Sequence, residues 1–135
     1  MKSIGLAILA LVTSIGLAAG NLSAYSDEDL QRLKTTGNCV DCDLSGAALI
    51  HWKLPGADLS GANLAGANLT DTYLAGANLS RANLSGAILI SVSLAGADLL
   101  HTKLAGANLL FTNLAGATWT DGSWCERGSS GHCKR

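Results

Sequence analysis

The sequence predicts an all-β solenoid: a four-sided β-helix of about four coils, with a short capping helix at its N-terminal end. Three observations carry that prediction. Leucine recurs at every fifth position, fifteen times in strict register from Leu44 to Leu114. A small residue stands two places before most of these leucines, as at Ala47, Ala57, Ala67, Ala77, Ala97 and Ala107, and Ala117 holds the same place before Trp119. Larger or branched residues at that place, Trp52, Thr72, Val92 and Thr112, are themselves spaced by twenty.

Each element follows from the pattern. In a run such as Ala67-Asn68-Leu69, the outer two side chains share one face of a strand and the middle one points the other way. A continuous strand would repeat every two residues and an amphipathic helix at about 3.6. A period of five fits three extended residues plus a corner. Glycine marks that corner two places after alternate leucines, from Gly46 and Gly56 through Gly106 and Gly116. That is the third place of a four-residue turn, where type II geometry requires φ > 0. The intervening corners hold His51, Asp71, Arg81, Ser91, His101 and Phe111, and a different turn type is expected there. A twenty-residue coil has four sides, so residues 42–121 supply sixteen repeats, or four coils. At ~4.8 Å between strands the stack is about 20 Å long.

The flanking segments read differently. Residues 1–20 resemble a signal peptide: Lys2, an apolar run from Ile4 to Ala19, and small residues at Ala18-Ala19-Gly20, with cleavage after Ala24 as an alternative. The run is shorter than the roughly 20 residues of a membrane-spanning helix. Cys39 lies too far on for a lipoprotein, and there is no twin-Arg pair. Residues 21–41 form a capping segment, in which Ser26 is a helix N-cap before Asp27, Glu28 and Asp29. With Leu30 and Leu33 on one face, a helix over 27–35 is expected to lie across the first coil. Cys39 holds a leucine position and Cys42 an alanine position, so both face inward across one corner, close enough for a disulfide. Their C-x-x-C spacing also suits a thiol-redox pair, but no βαβ context surrounds it. In the C-terminal cap and tail, 122–135, Cys125 and Cys133 enclose a Gly- and Ser-rich loop. Pairing across the two ends would have to span the stack, so Cys39–Cys42 and Cys125–Cys133 is the expected connectivity. Trp119 and Trp124 keep the leucine phase and are expected to plug the last coil.

The unit A(D/N)LXX, seen in Ala62-Asn63-Leu64 and Ala77-Asn78-Leu79, resembles the pentapeptide-repeat family over residues 42–121. The resemblance implies a right-handed quadrilateral β-helix with Leu and Ala inside. Departures are Trp52 and Val92 at small-residue positions and Tyr73 and Ile88 at Asp/Asn positions. An inward Trp52 is expected to require a bulge, or else to turn outward. The family serves many partners, so the resemblance implies little about function. Some members imitate DNA and protect type II topoisomerases, a role that needs a strongly acidic surface.

Composition narrows the function further. Without Lys2 the chain keeps eight basic and ten acidic residues, a net charge of −2, which favours neither nucleic-acid binding nor DNA mimicry. Four cysteines in a small exported chain are most simply two disulfides. His51, Asp71 and Ser91 share an outward column, but a catalytic triad needs His between the other two, and here Asp is in the middle. His51, His101 and His132 lie on different sides or in the tail, so no metal site is expected, and no cofactor motif is present. The Asn-x-Ser/Thr matches at 21, 68, 78 and 83 are largely a by-product of the repeat. One outward column, Ile50, Thr70, Ile90 and Leu110, is mostly apolar, with Ile88 and Phe111 nearby. A contiguous stripe of this kind can mark an interface. The expectation is an exported, non-enzymatic structural or protein-interaction module, docking a partner or itself through this face. Its place is the periplasm or the medium, or a thylakoid lumen in a cyanobacterium, without a membrane span after cleavage. DNA mimicry and a thiol-redox role for Cys39 and Cys42 are the alternatives.

Overall fold

The computed structural model describes residues 24–135; the expected signal peptide, 1–20, lies outside the described residues. Helix α1, Asp27–Thr36, opens as the sequence suggests, with the Asp29 N–H donating to Ser26 Oγ at 3.2 Å. It runs one residue past the expected end and closes on Gly37, whose φ of 72° lets its N–H reach back to the Leu33 carbonyl at 2.9 Å. Leu33 is its buried residue and joins the core.

From Asp43 onward the chain winds as a parallel ladder in which residue i bridges residue i+20, from Asp43↔Asn63 to Asp98↔Thr118. A typical layer is tied by Leu64 N–H to the Asn83 carbonyl (2.8 Å) and Asn83 N–H to the Ala62 carbonyl (2.9 Å). Each wall is only three residues long, so one coil cannot bury its own leucines; stacking does. Leu59, Leu79 and Leu99 lie on one inner column and are fully buried, as are Leu64, Leu69 and Leu74. The inward threonines Thr72, Thr102 and Thr112 are also buried, and their hydroxyls donate to the Leu49, Leu79 and Leu89 carbonyls at 2.6, 2.7 and 2.6 Å. A buried hydroxyl without such a partner would cost about 1–3 kcal/mol.

The corners correct one expectation. Glycine corners such as Gly46 (φ 70°) close with Ala47 N–H donating to the Leu44 carbonyl at 3.1 Å. The glycine-free corners are not a separate class: His51, Asp71, Arg81, Ser91, His101 and Phe111 all take φ between 58° and 63° and close the same bond. Ladder pairing with the neighbouring coils fixes the corner, and the side chain accepts the left-handed conformation at a cost of roughly 1–2 kcal/mol. Where Asp or Asn precedes a leucine, it has a matching task. Its Oδ1 accepts the N–H two residues on, as with Ser60 N–H to Asp58 (3.1 Å) and Ala65 N–H to Asn63 (3.1 Å).

Two tryptophans behave differently from expectation. Trp52 needs no bulge, because its N–H still reaches the Leu49 carbonyl (3.3 Å) and its carbonyl still accepts from Tyr73 (2.8 Å). Its side chain is half-buried against the core at the N-terminal end, where there is no preceding full coil to crowd it. Trp124 does not plug the last coil: it is 59% exposed. The chain reverses at Trp119–Gly122, so Thr118↔Trp124 and Asn113↔Ser130 pair antiparallel. Reversal breaks the repeat phase, turning Trp124 out and burying Cys125, while Trp119 packs against the core. Disulfides join Cys39 to Cys42 at the first corner and Cys125 to Cys133 in the tail.

Candidate interaction surface

With leucine, the small residue and the Asp/Asn side chain committed to the fold, chemistry must come from the remaining outward positions. The column through Ile50, Thr70, Ile90 and Leu110 is held in line by bonds between successive corners. His51 N–H donates to the Thr70 carbonyl (3.0 Å), Asp71 N–H to Ile90 (3.0 Å) and Ser91 N–H to Leu110 (2.9 Å). Ile88 stands on the adjoining wall, bridged to Asn68 and Asn108. Thr70 interrupts the stripe, since its hydroxyl donates to Asn68 Oδ1 at 2.6 Å. Ile50 is thereby set apart at the N-terminal end. Ile88, Ile90, Leu110 and Phe111 gather toward the other end, with Leu110 52% and Phe111 67% exposed. Tyr73, 48% exposed on the wall past the same corner, extends this apolar side. The sequence signal for Tyr73 was its departure from Asp/Asn, the same signal that singled out Ile88.

The outward polar column offers little chemistry. His51 Nδ1 lies 3.6 Å from Asp71 Oδ2, both side chains well exposed, and Ser91 makes no hydrogen bond to Asp71 among the described residues. Asp29, Cys39 and Cys42 bring potential ligand atoms within 4.8 Å of one another. The two sulfurs are bonded together, however, and the Arg32 guanidinium sits 3.6 Å from both Cys42 Sγ and Asp29 Oδ1. A guanidinium in that place opposes a cation. In the tail, Arg135 meets Asp121 at 2.9 Å. The Asp121 carboxyl is held below its usual range, first by the Ser123 hydroxyl and N–H and then by Arg135. Among the described residues no helix is long and apolar enough to cross a membrane.

A family model for pentapeptide repeats matches in eight copies over residues 42–81, 67–99 and 82–118. The chain belongs to the pentapeptide-repeat family. Members form right-handed quadrilateral β-helices, which is the fold of this repeat region. Among solved structures it resembles HetL, a pentapeptide-repeat protein involved in heterocyst differentiation regulation from the cyanobacterium Nostoc sp. strain PCC 7120. The identity is 38% and the TM-score 0.63, over 64% of this chain and 40% of HetL. It also resembles alr5209, another pentapeptide-repeat protein from Nostoc PCC 7120, at 35% identity and TM-score 0.55, covering 70% of this chain and 75% of that one. QnrB1, a plasmid-mediated fluoroquinolone resistance protein, shares the fold alone, at 22% identity and TM-score 0.55 over 59% of this chain and 39% of its own. This pentapeptide-repeat chain thus spans about two-fifths of the length of HetL. No curated protein matches it.

Proposed function

We propose that this pentapeptide-repeat protein is an exported, non-enzymatic interaction module of about four coils, which docks a protein partner or a second copy through the Ile88, Ile90, Leu110 and Phe111 side. The observation that carries the reading is the exposure of Leu110 and Phe111 at a corner beside Ile88, whose own wall is bridged to Asn68 and Asn108 on either side. A rigid apolar surface loses little entropy on docking and gains the burial of two large side chains. The two disulfides support work in an oxidising compartment, such as a periplasm, the medium or a lumen.

The near-neutral charge weighs against DNA mimicry, which requires a dense acidic surface. Burial of both Cys39 and Cys42 weighs against a thiol-redox role, which needs an accessible sulfur. The deciding experiment is a Leu110→Lys, Phe111→Lys double variant, compared with the parent by oligomeric mass and by recovery of partners from the native compartment. Both positions are exposed, so folding should be kept while self-association or partner recovery is lost. Unchanged mass and unchanged recovery would refute the reading.

A further inference from the structure

The four walls at the N-terminal end of the stack are not closed alike. Asp43 donates its N–H to Asp29 Oδ2 (2.8 Å) and accepts from Ser26 N–H (3.0 Å). Asp58 donates to Asn38 Oδ1 (2.8 Å) and accepts from Cys39 N–H (2.7 Å). Ala48 and Lys53 differ: among the described residues neither makes a hydrogen bond through its N–H or C=O, whereas Tyr73, one coil beyond Lys53, makes both at 2.8 Å. By that equivalence both Lys53 groups point out of the N-terminal end of the stack.

Beside this open edge lies a cleft of about 330 Å³, lined by Leu33, Lys34 and Gly37 at the end of α1 and by Trp52, Lys53 and Leu54 of the first coil. Leu33 and Leu54 are buried and half-buried Trp52 adds an indole, where the coils beyond carry Thr72, Val92 and Thr112. Lys34 and Lys53 are exposed, no acidic side chain lines the cleft, and neither lysine forms a salt bridge among the described residues. Lys34 offsets the negative half-charge of the α1 C-terminus, so the charge of Lys53 is left for a ligand.

We propose that this cleft binds the free C-terminus of an extended polypeptide whose last residue is apolar. The apolar side chain enters against Trp52 and Leu54, the carboxylate pairs with the Lys53 ammonium, and the peptide backbone adds to the open edge at Lys53. A small fatty or aromatic acid could use the Lys53 ammonium and the indole, but it has no donor for the Lys53 carbonyl. The extended peptide uses all three features, and the site is separate from the apolar corner at Leu110 and Phe111.

The test uses the oxidised full-length protein with Trp119→Phe and Trp124→Phe, leaving Trp52 as its sole indole. The probe is acetyl-Ser-Thr-Val-Leu with a free C-terminus, titrated by tryptophan fluorescence. The expected result is a saturable change in emission, about tenfold weaker for the same peptide as its C-terminal amide. Lys53→Glu, at an exposed position, should weaken binding by about tenfold or more while leaving Tm unchanged. No saturation up to ~5 mM, equal binding of acid and amide, or an unaffected Lys53→Glu variant would overturn the proposal. Binding of 4-methylpentanoate as tight as that of the tetrapeptide would overturn the assignment to a peptide.

Discussion

Leu79→Ala probes the stack where it is most constrained. Leu79 is fully buried between Leu59 and Leu99 of the adjacent coils. Its N–H donates to the Asp98 carbonyl (2.8 Å), and its own carbonyl accepts from Ala82 N–H (3.0 Å) and the Thr102 hydroxyl (2.7 Å). Truncation removes three carbon groups at about 0.8 kcal/mol each, or ~2.4 kcal/mol of transfer energy. The walls are pinned by these bonds and cannot close the gap. A residual void of roughly 60 Å³ adds ~1.5 kcal/mol at about 24 cal/mol per Å³. The expected loss is therefore about 4 kcal/mol. Leu109→Ala makes the internal comparison: Leu109 is only half-buried, in the last coil, where the tail pairs with Asn113 and Thr118 and not with its wall. Its loss should be about 1–2 kcal/mol. Urea unfolding followed by far-UV circular dichroism measures both, with unchanged m-values showing that the same surface unfolds. A Leu79→Ala loss under about 1 kcal/mol, or one equal to that of Leu109→Ala, would refute the packing argument.

Three further perturbations test other parts of the fold. Arg81 sits at φ 59° with its side chain exposed, so Arg81→Gly should raise stability by about 0.5–1 kcal/mol in the same urea assay. Removing the tail disulfide with Cys125→Ser and Cys133→Ser opens a loop with sequence separation 8 and should cost about 2.5 kcal/mol, most directly seen as a lower Tm. Acid should release the tail clamp: the folded pKa of Asp121 is depressed, so its contribution is fully present above the unfolded value of 3.8 and lost as pH falls below it. Amide exchange at Ser123 should accelerate, beyond its intrinsic pH trend, over that acidic window and not between pH ~5 and 7.

The walls and the core were legible in the sequence because one constraint repeats fifteen times and each copy votes for the same geometry. The Leu44-to-Leu114 register, the inward alanines and the twenty-residue coil all follow from side-chain alternation plus a corner. Ser26 and the acidic first turn of α1 were legible for a local reason, since an N-cap depends on neighbours within three residues. What was not legible depends on contacts remote in sequence. Phe111 and Arg81 at φ near 60° carry no local signal for a left-handed conformation; pairing with the neighbouring coils imposes it. Trp124 kept the leucine phase in the sequence, yet the reversal at Gly122 changed which side chain faces the core. Trp52 posed a steric problem for a closed coil, and the problem vanishes at an open end.

The same logic says where function is to be sought in a repeat this regular. Of five positions, three are consumed: leucine and the small residue by the core, and Asp or Asn by the corner N–H it accepts. A substitution at these places that keeps the ladder intact gives up a local stabilising contact, and Tyr73 and Ile88 do that by replacing a corner-capping acceptor with exposed apolar surface. The forgone side-chain bond is worth about 1 kcal/mol per site. Nothing in the folding of the coil recovers it, because both side chains point away from the core. A partner that buries them would, at about 25 cal/mol for each Å² of apolar area removed from water. Under the proposed function, Tyr73 and Ile88 therefore belong to the docking face, beside the free corner positions Leu110 and Phe111.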